Sequence, residues 1–433
     1  MRCQLAKNPV FRPQDEWYTL PLENGSRILT LQTLNTHSDF RFSERPYLVI
    51  RKRTISFHNE VLTLGIRLGD EEEERVYIRV FEQELHISCS VDTHPAYLSR
   101  YAYFALYTFS WPGRGFNFDK YYWPNFFDPI TGKSKYLTII IDRAGTDIIR
   151  KAKYPFFYKP GYPLICPVKE KEYAALPAPV PQLEMLNQTN AFAIGYCFAD
   201  TQLGSFHSPH FPLLVRYTGV FKEKGTAIRG FNEFLITDHQ GQGYNYTPLQ
   251  ENLNLLAEEM QLLAPIKLRE YGCTDKEKLA DQQENGRTLK LVYALWRKAV
   301  PLLQTQPFTH FLFTYGLRNV KGKPRKHDMK ACTFSSERPR LCFLLINKGA
   351  YYELELRFKV GRKMYVPNAS NPTFFIHSNK EPYRFYLLAS ITDYHVLAFF
   401  EKHNYKIAVL KCHYDGDFKL FTDRLAAIYE LKS

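Results

Sequence analysis

The sequence lacks any pair of cysteines at C-x-x-C spacing. Its eight cysteines stand at 3, 89, 166, 197, 273, 332, 342 and 412, too scattered for a zinc ribbon or a disulfide framework. That usage fits a reducing compartment with isolated thiols, and a cytoplasmic protein is expected. No apolar run reaches the roughly 18 residues of a membrane span, so no membrane partner is expected. The opening stretch, MRCQLAKNPVFRPQDEW, has no apolar core of the secretory type, so no secretory leader is expected. No Walker A motif and no DExH-type box occurs. TGKS (131–134) ends like a phosphate loop, but Phe127 stands where that loop needs glycine and a strand-like KYLTIII follows. GQGYNY (241–246) puts Tyr246 where a dinucleotide fingerprint needs its third glycine. HSPH (207–210) offers two imidazoles, near Cys197 at most, whereas zinc takes four ligands. The expectation is therefore no catalytic residue, no metal and no cofactor.

What is present is apolar, aromatic and basic. Apolar residues make up 45% of the 433 positions, enough for two or three cores. There are 30 tyrosines and 33 phenylalanines, whose flat faces serve cores, partner surfaces and bases alike. Lys and Arg number 57 against 44 Asp and Glu, a formal charge of +13, which favours an anionic partner.

The order of patterns predicts an α+β fold of two domains, with mainly antiparallel sheets and packed helices. Alternating β-branched and aromatic residues predict strands over 45–59, 61–69, 75–83, 84–90 and 135–143, with a helix over 94–109. The acidic run after Gly69-Asp70 reads as a hairpin tip. An N-terminal domain over 1–166 is expected. A Pro-rich linker over 167–183 follows, then a C-terminal domain over 184–433 with a helical section at 249–304. A hairpin is predicted around Lys348-Gly349. The end of the chain predicts a helix over 390–403 capped by Ser390 and Asp393, a strand over 404–412 and a helix over 417–431.

Residues 86–109, HISCSVDTHPAYLSRYAYFALYTF, run from a strand ending in Cys89 into a Tyr-rich helix. Zinc-binding SWIM motifs place C-x-C at a strand end and C-x-H at a helix start. Here the frame reads Cys89-Ser90-Val91, then Ser99-Arg100-Tyr101, so Val91, Ser99 and Tyr101 replace three of four ligands. Such a corner would be closed by packing of Val91, Leu98, Tyr101 and Phe104 instead of zinc. On this frame, and on FYLLASITDYHVLAFFEKHNYKIAVL near the end, the chain resembles the non-catalytic SWIM-bearing region that precedes the motor in some bacterial Snf-type DNA-dependent ATPases, notably of Bacteroidetes. The chain departs from that family in its missing zinc ligands and its missing motor. The resemblance implies an accessory module that binds nucleic acid or a helicase partner, without ATPase activity.

The clearest anion-binding segment is RNVKGKPRKHDMK (318–330), a Gly/Pro-punctuated loop carrying Arg318, Lys321, Lys323, Arg325, Lys326 and Lys330. Arg338 and Arg340 follow closely, and the eight cations are expected to track a phosphate backbone. RKR (51–53) lies in a strand, which sends Arg51 and Arg53 to one face and Lys52 to the other. In the aromatic loop SWPGRGFNFDKYYWPNFFDP (110–129), Tyr121, Tyr122 and Trp123 are the candidate stacking residues. The leading expectation is a non-enzymatic accessory protein that binds nucleic acid, DNA ahead of RNA, or a helicase or other protein partner, through a basic surface. Two alternatives stay open: a structural or assembly subunit without nucleic-acid contact, and a nuclease-like enzyme whose site is assembled from distant residues. For the latter, Asp142, Asp147, Asp238 and Asp393 each read more simply as turn or cap residues.

Overall fold

The structure, a computed structural model, describes residues 16–23, 26–38, 48–110, 115–142, 145–169, 176, 192–202, 212–222, 227–236, 243–263, 275–315, 323–368, 373–378 and 380–433. The chain forms two compact units. The first comprises 1–164, 348–352 and 408–420; the second comprises 165–347, 353–407 and 421–433. Most of the expected linker lies outside the described residues. The class is α+β, with mostly antiparallel sheets.

The first unit opens with β1 (Tyr18–Pro21), β2 (Ile28–Leu29) and α1 (Leu31–Thr36). It continues through β3 (Ile50–His58), β4 (Val61–Leu68), β5 (Glu74–Val80), β6 (Glu84–Cys89) and α2 (Arg100–Tyr107). β7 (Phe116–Asn117), β8 (Leu137–Asp142), β9 (Gly145–Arg150) and β10 (Phe156–Phe157) complete it. Its main sheet has the order β1-β6-β5-β4-β3, every pair antiparallel. β4 reads VLTLGIRL and is buried almost throughout, as suits a central strand covered on both faces. One covering element is α2, whose Ala102 to Leu106 are all buried. At the acidic hairpin tip Glu73 meets Arg53 and Glu71 meets Arg100, so these glutamates serve as counter-charges.

α2 starts six residues later than expected, at Arg100. Ser99 takes the cap, its hydroxyl accepting the Ala102 N–H at 3.2 Å. His94 and Tyr97 instead close a small turn with stacked rings.

The second unit contains β11 (Ala193–Gln202), β12 (Leu213–Phe221), β13 (Ile228–Leu235), α3 (Pro248–Leu263), α4 (Asp275–Leu303), β14 (Thr309–Tyr315) and β15 (Lys330–Ser335). It goes on with β16 (Arg340–Asn347), β17 (Tyr351–Val360), β18 (Lys363–Tyr365), β19 (Phe375–His377) and β20 (Tyr383–Leu387). The last elements are α5 (Ile391–Glu401), β21 (Lys406–Leu410), α6 (Lys419–Ala426) and β22 (Glu430–Lys432); the start of β17, the end of β21 and the first two residues of α6 belong to the first unit's segments. The larger sheet runs β13-β12-β11-β14-β15-β20-β19, with β11–β14 and β15–β20 parallel. A parallel pair needs a long crossover, and β12, β13, α3 and α4 supply it between β11 and β14. α3 and α4 bury Leu253, Met260, Val292, Trp296 and Val300 in the same core as the sheet's Phe198 and Phe385.

Two helix expectations change. Within the helical section the apolar period predicts a second helix only over 287–304, whereas α4 begins at Asp275; its first three turns are polar and carry no apolar period. The expected helix over 417–431 stops at Ala426, and β22 pairs in parallel with β16 through Cys342 and Glu430. Glu-Leu-Lys has little strand propensity, so an available sheet edge decides its state.

Candidate nucleic-acid interface

The structure divides the expected basic cluster. Arg318 and Lys321 lie outside the described residues. Lys323, Arg325 and Lys326 are exposed on a turn closed by Asp328 N–H to Arg325 O at 3.0 Å. Lys330 opens β15 and pairs with Glu381 at 3.3 Å. Arg338 and Arg340 come after β15, whose six residues extend roughly 20 Å at strand rise. The eight cations are therefore not one compact group: a strand's length separates the 323–330 set from the Arg338–Arg340 set.

Arg338 and Arg340 instead line a cleft of about 890 Å3 within the second unit. Lys169 and the β17–β18 turn residue Arg362 face it with Lys359 of β17. Strand alternation puts Arg357 and Lys359 on one face while Phe358 and Val360 go to the other. Sequence reasoning missed Lys169, Lys359 and Arg362 because they are distant along the chain from Arg338 and Arg340; for Lys359 and Arg362 the alternation in LRFKVGRK was the available signal. The carboxylates at the cleft are largely engaged. Asp393 accepts Tyr429 OH at 2.9 Å, and Glu430 pairs with Lys432 at 3.1 Å and Lys359 at 3.5 Å. Glu337 is the third acid of the lining. The N-terminal turn of α5 also borders the cleft through Ser390 and Thr392, and aligned peptide dipoles there favour an anion.

The aromatic loop is corrected. Tyr121 and Tyr122 are 3% and 4% exposed, and Tyr121, Phe126 and Phe127 pack inward against Phe57 and Phe157. Burying a ring contributes about 1.5–3 kcal/mol, so a loop so rich in them folds onto the core. Neither tyrosine offers a face to a base. Trp123 keeps part of its surface beside Lys159, whose Nζ lies 4.2 Å from the indole ring. Burial pushes the Lys159 amine down to about 7, Asp119 partly opposing that. Nζ donates to Asp119 O at 3.1 Å, while the Asp119 carboxylate binds Arg27 at 2.9 Å and Tyr162 OH at 2.6 Å. This half-buried ion cluster ties the loop to Arg27 and Tyr162, although Arg27 Nε is left without a partner.

The corner at Cys89 has the strand-to-helix shape. Burial holds the Cys89 thiol above its ordinary value. Thr93 Oγ1 ties the strand end in both directions, accepting Cys89 N–H at 2.8 Å and donating to Cys89 O at 2.5 Å. Leu98 and Phe104 are buried as expected, whereas Val91 is 38% exposed and Tyr101 reaches out to Glu71 at 2.6 Å. Val91 thus takes no part in closing the corner. TGKS opens in a turn in which the Asp128 carboxylate accepts the N–H groups of Ile130 and Thr131, Asp128 O accepts Gly132 N–H, and Thr131 Oγ1 accepts Lys133 N–H, so its first three amides are already engaged. Among the described residues no group of three or more His, Cys, Asp and Glu side chains is placed to hold a metal. Asp142 caps Gly145 N–H, and Asp238 and HSPH lie outside the described residues. No described helix is long and apolar enough to cross a membrane.

No protein-family model, curated protein or solved structure matches this chain.

Proposed function

We propose that the chain is a non-enzymatic, cytoplasmic accessory module that binds nucleic acid, DNA ahead of RNA, through the second unit. The observation that carries this reading is the convergence of Lys169, Arg338, Arg340, Lys359 and Arg362 on one cleft. Arg presents a planar donor fork suited to phosphate oxygens, and backbone contacts of this kind are blind to sequence. The resemblance to regions that precede DNA-dependent motors adds a helicase as the partner such a module would accompany. The exposed Lys323–Lys326 turn would be an auxiliary contact, about a strand's length away.

A retardation assay on duplex DNA at two salt concentrations tests the reading. Arg338→Ala with Arg340→Ala should weaken binding and flatten the salt slope by about 2, since each phosphate contact contributes roughly 0.9. Lys323→Ala, Arg325→Ala and Lys326→Ala together should have the smaller effect. Parent protein that binds neither DNA nor RNA at low salt would instead favour the assembly-subunit alternative. Unchanged binding by the folded Arg338/Arg340 variant would remove the cleft from consideration.

A further inference from the structure

We propose that the first unit carries a separate site for a nucleoside phosphate, with the ammonium groups of Lys52 and Lys120 holding the phosphate and Phe109 and Phe116 receiving the ring. The cleft measures about 770 Å3, within the usual range for small-ligand sites. Three elements build it. β3 presents Lys52, the single-turn helix Phe118–Tyr121 presents Lys120, and the β8–β9 hairpin closes the side with Asp142, Gly145 and Thr146.

Lys52 departs from its neighbours on β3. Arg53 is satisfied by Glu73, which receives Nε at 2.8 Å. Lys52 has no carboxylate partner among the described residues, and neither has Lys120. The Lys52 Nζ rests 3.5 Å from the Phe109 ring centroid, and Phe109 in turn meets Phe116 at 4.6 Å. A cation seated on a ring is preorganised without being neutralised. Burial and then the nearby charge of Lys120 push the Lys52 amine down to about 8. The carboxylate in the lining, Asp142, accepts the Gly145 N–H at 3.1 Å and closes its own hairpin. Two mutually repelling ammonium groups facing one space are relieved by an anion. A phosphate monoester carries nearly two negative charges at neutral pH and three acceptor oxygens, enough for both amines. Inorganic phosphate would satisfy the lysines but leave the phenylalanine wall uncovered.

The source of that phosphate is either a free nucleotide or a nucleotide within a strand. The geometry next to the cleft bears on this. A second cleft of about 460 Å3 shares Lys120 and adds Arg150 and Trp123, with Asp119 in its lining already bound to Arg27 and Tyr162. A neighbouring phosphate of a single strand would meet these cations next, as on the aromatic and cationic tracks of single-strand binders.

Calorimetric titration of the full chain at low salt with inorganic phosphate, adenosine monophosphate and a short oligothymidylate tests the site. The nucleotide should bind about tenfold more tightly than inorganic phosphate, given the ring contact. Lys52→Met and Lys120→Met should each weaken it about tenfold by removing one charge-assisted bond, and Lys52→Arg should largely restore it. The Arg338/Arg340 variant should bind the nucleotide as the parent does, so failure of this site and failure of the second unit's cleft are read separately. Competition between oligothymidylate and nucleotide assigns the strand as source, and its absence assigns the free nucleotide. Nucleotide binding no tighter than inorganic phosphate, or parental nucleotide binding by folded Lys52→Met, overturns the proposal.

Discussion

Replacing Trp296 by alanine should cost the second unit about 4 kcal/mol, within the 3–5 kcal/mol of large aromatic truncations. Trp296 is 0% exposed on α4 and is clamped from several directions. Its ring centroid lies 5.1 Å from both Phe198 and Phe375 and 6.2 Å from Phe334. These neighbours sit on strands of one sheet, so they cannot slide into the space that alanine leaves. The indole Nε1 donates to Pro212 O at 2.9 Å, and truncation leaves that buried carbonyl without its partner. Trp296→Phe separates the two losses, since it keeps much of the volume and drops the hydrogen bond. It should cost about half as much, the larger share being the cavity term. Urea denaturation followed by circular dichroism reads both. A Trp296→Ala midpoint indistinguishable from the parent's would mean that α4 does not hold the sheet.

The same helix shows why part of this molecule is legible in its sequence and part is not. The apolar half of α4 announces itself through Leu289, Val292, Leu295, Trp296 and Ala299 at helical spacing, all buried. The polar half, from Asp275 to Gly286, has no such signature. The hairpin of β16 and β17 was readable from Lys348-Gly349, where Gly349 adopts φ +82° and L-residues are disfavoured. Ser390 was readable as a cap, and its hydroxyl does receive Asp393 N–H at 3.0 Å. Asp393 itself turns to Tyr429, a partner that no local pattern announces. β22 was unreadable for the same reason, because only a distant sheet edge makes three residues a strand.

The candidate interfaces follow this division. A local count of charge found the 323–330 turn and Arg338 with Arg340. It could not find that Lys359 and Arg362 join the second pair, or that Lys52 and Lys120 converge from positions far apart in the chain. Local composition also overestimated the aromatic loop as a stacking surface, because it records how many rings there are and not which way they point.

Distance in sequence likewise conceals two titrating groups whose effects should oppose each other. Asp200 on β11 is 6% exposed, and burial followed by the charge of Glu401 pushes its carboxyl up to about 6, from 3.8. His310 on β14 is pushed down by burial to about 4, from 6.5, with Tyr217 OH 2.6 Å from its Nδ1. Between about pH 4 and 6 the folded chain keeps a proton on Asp200 that the unfolded chain has lost, so this group makes stability fall as pH rises. Between about pH 4 and 6.5 the unfolded chain holds a proton on His310 that the folded chain refuses, so that group makes stability rise. Asp200→Asn removes the falling contribution. Relative to the parent it should gain stability across pH 4 to 6, approaching about 3 kcal/mol at neutral pH for a shift of two units. His310→Asn, which keeps an acceptor for Tyr217 OH, removes the rising contribution, and its difference from the parent should run the other way. Denaturant melts of parent and both variants at pH 4, 5, 6 and 7 decide the matter. Difference profiles that are flat, or that slope the same way for both variants, would place neither proton where burial puts it.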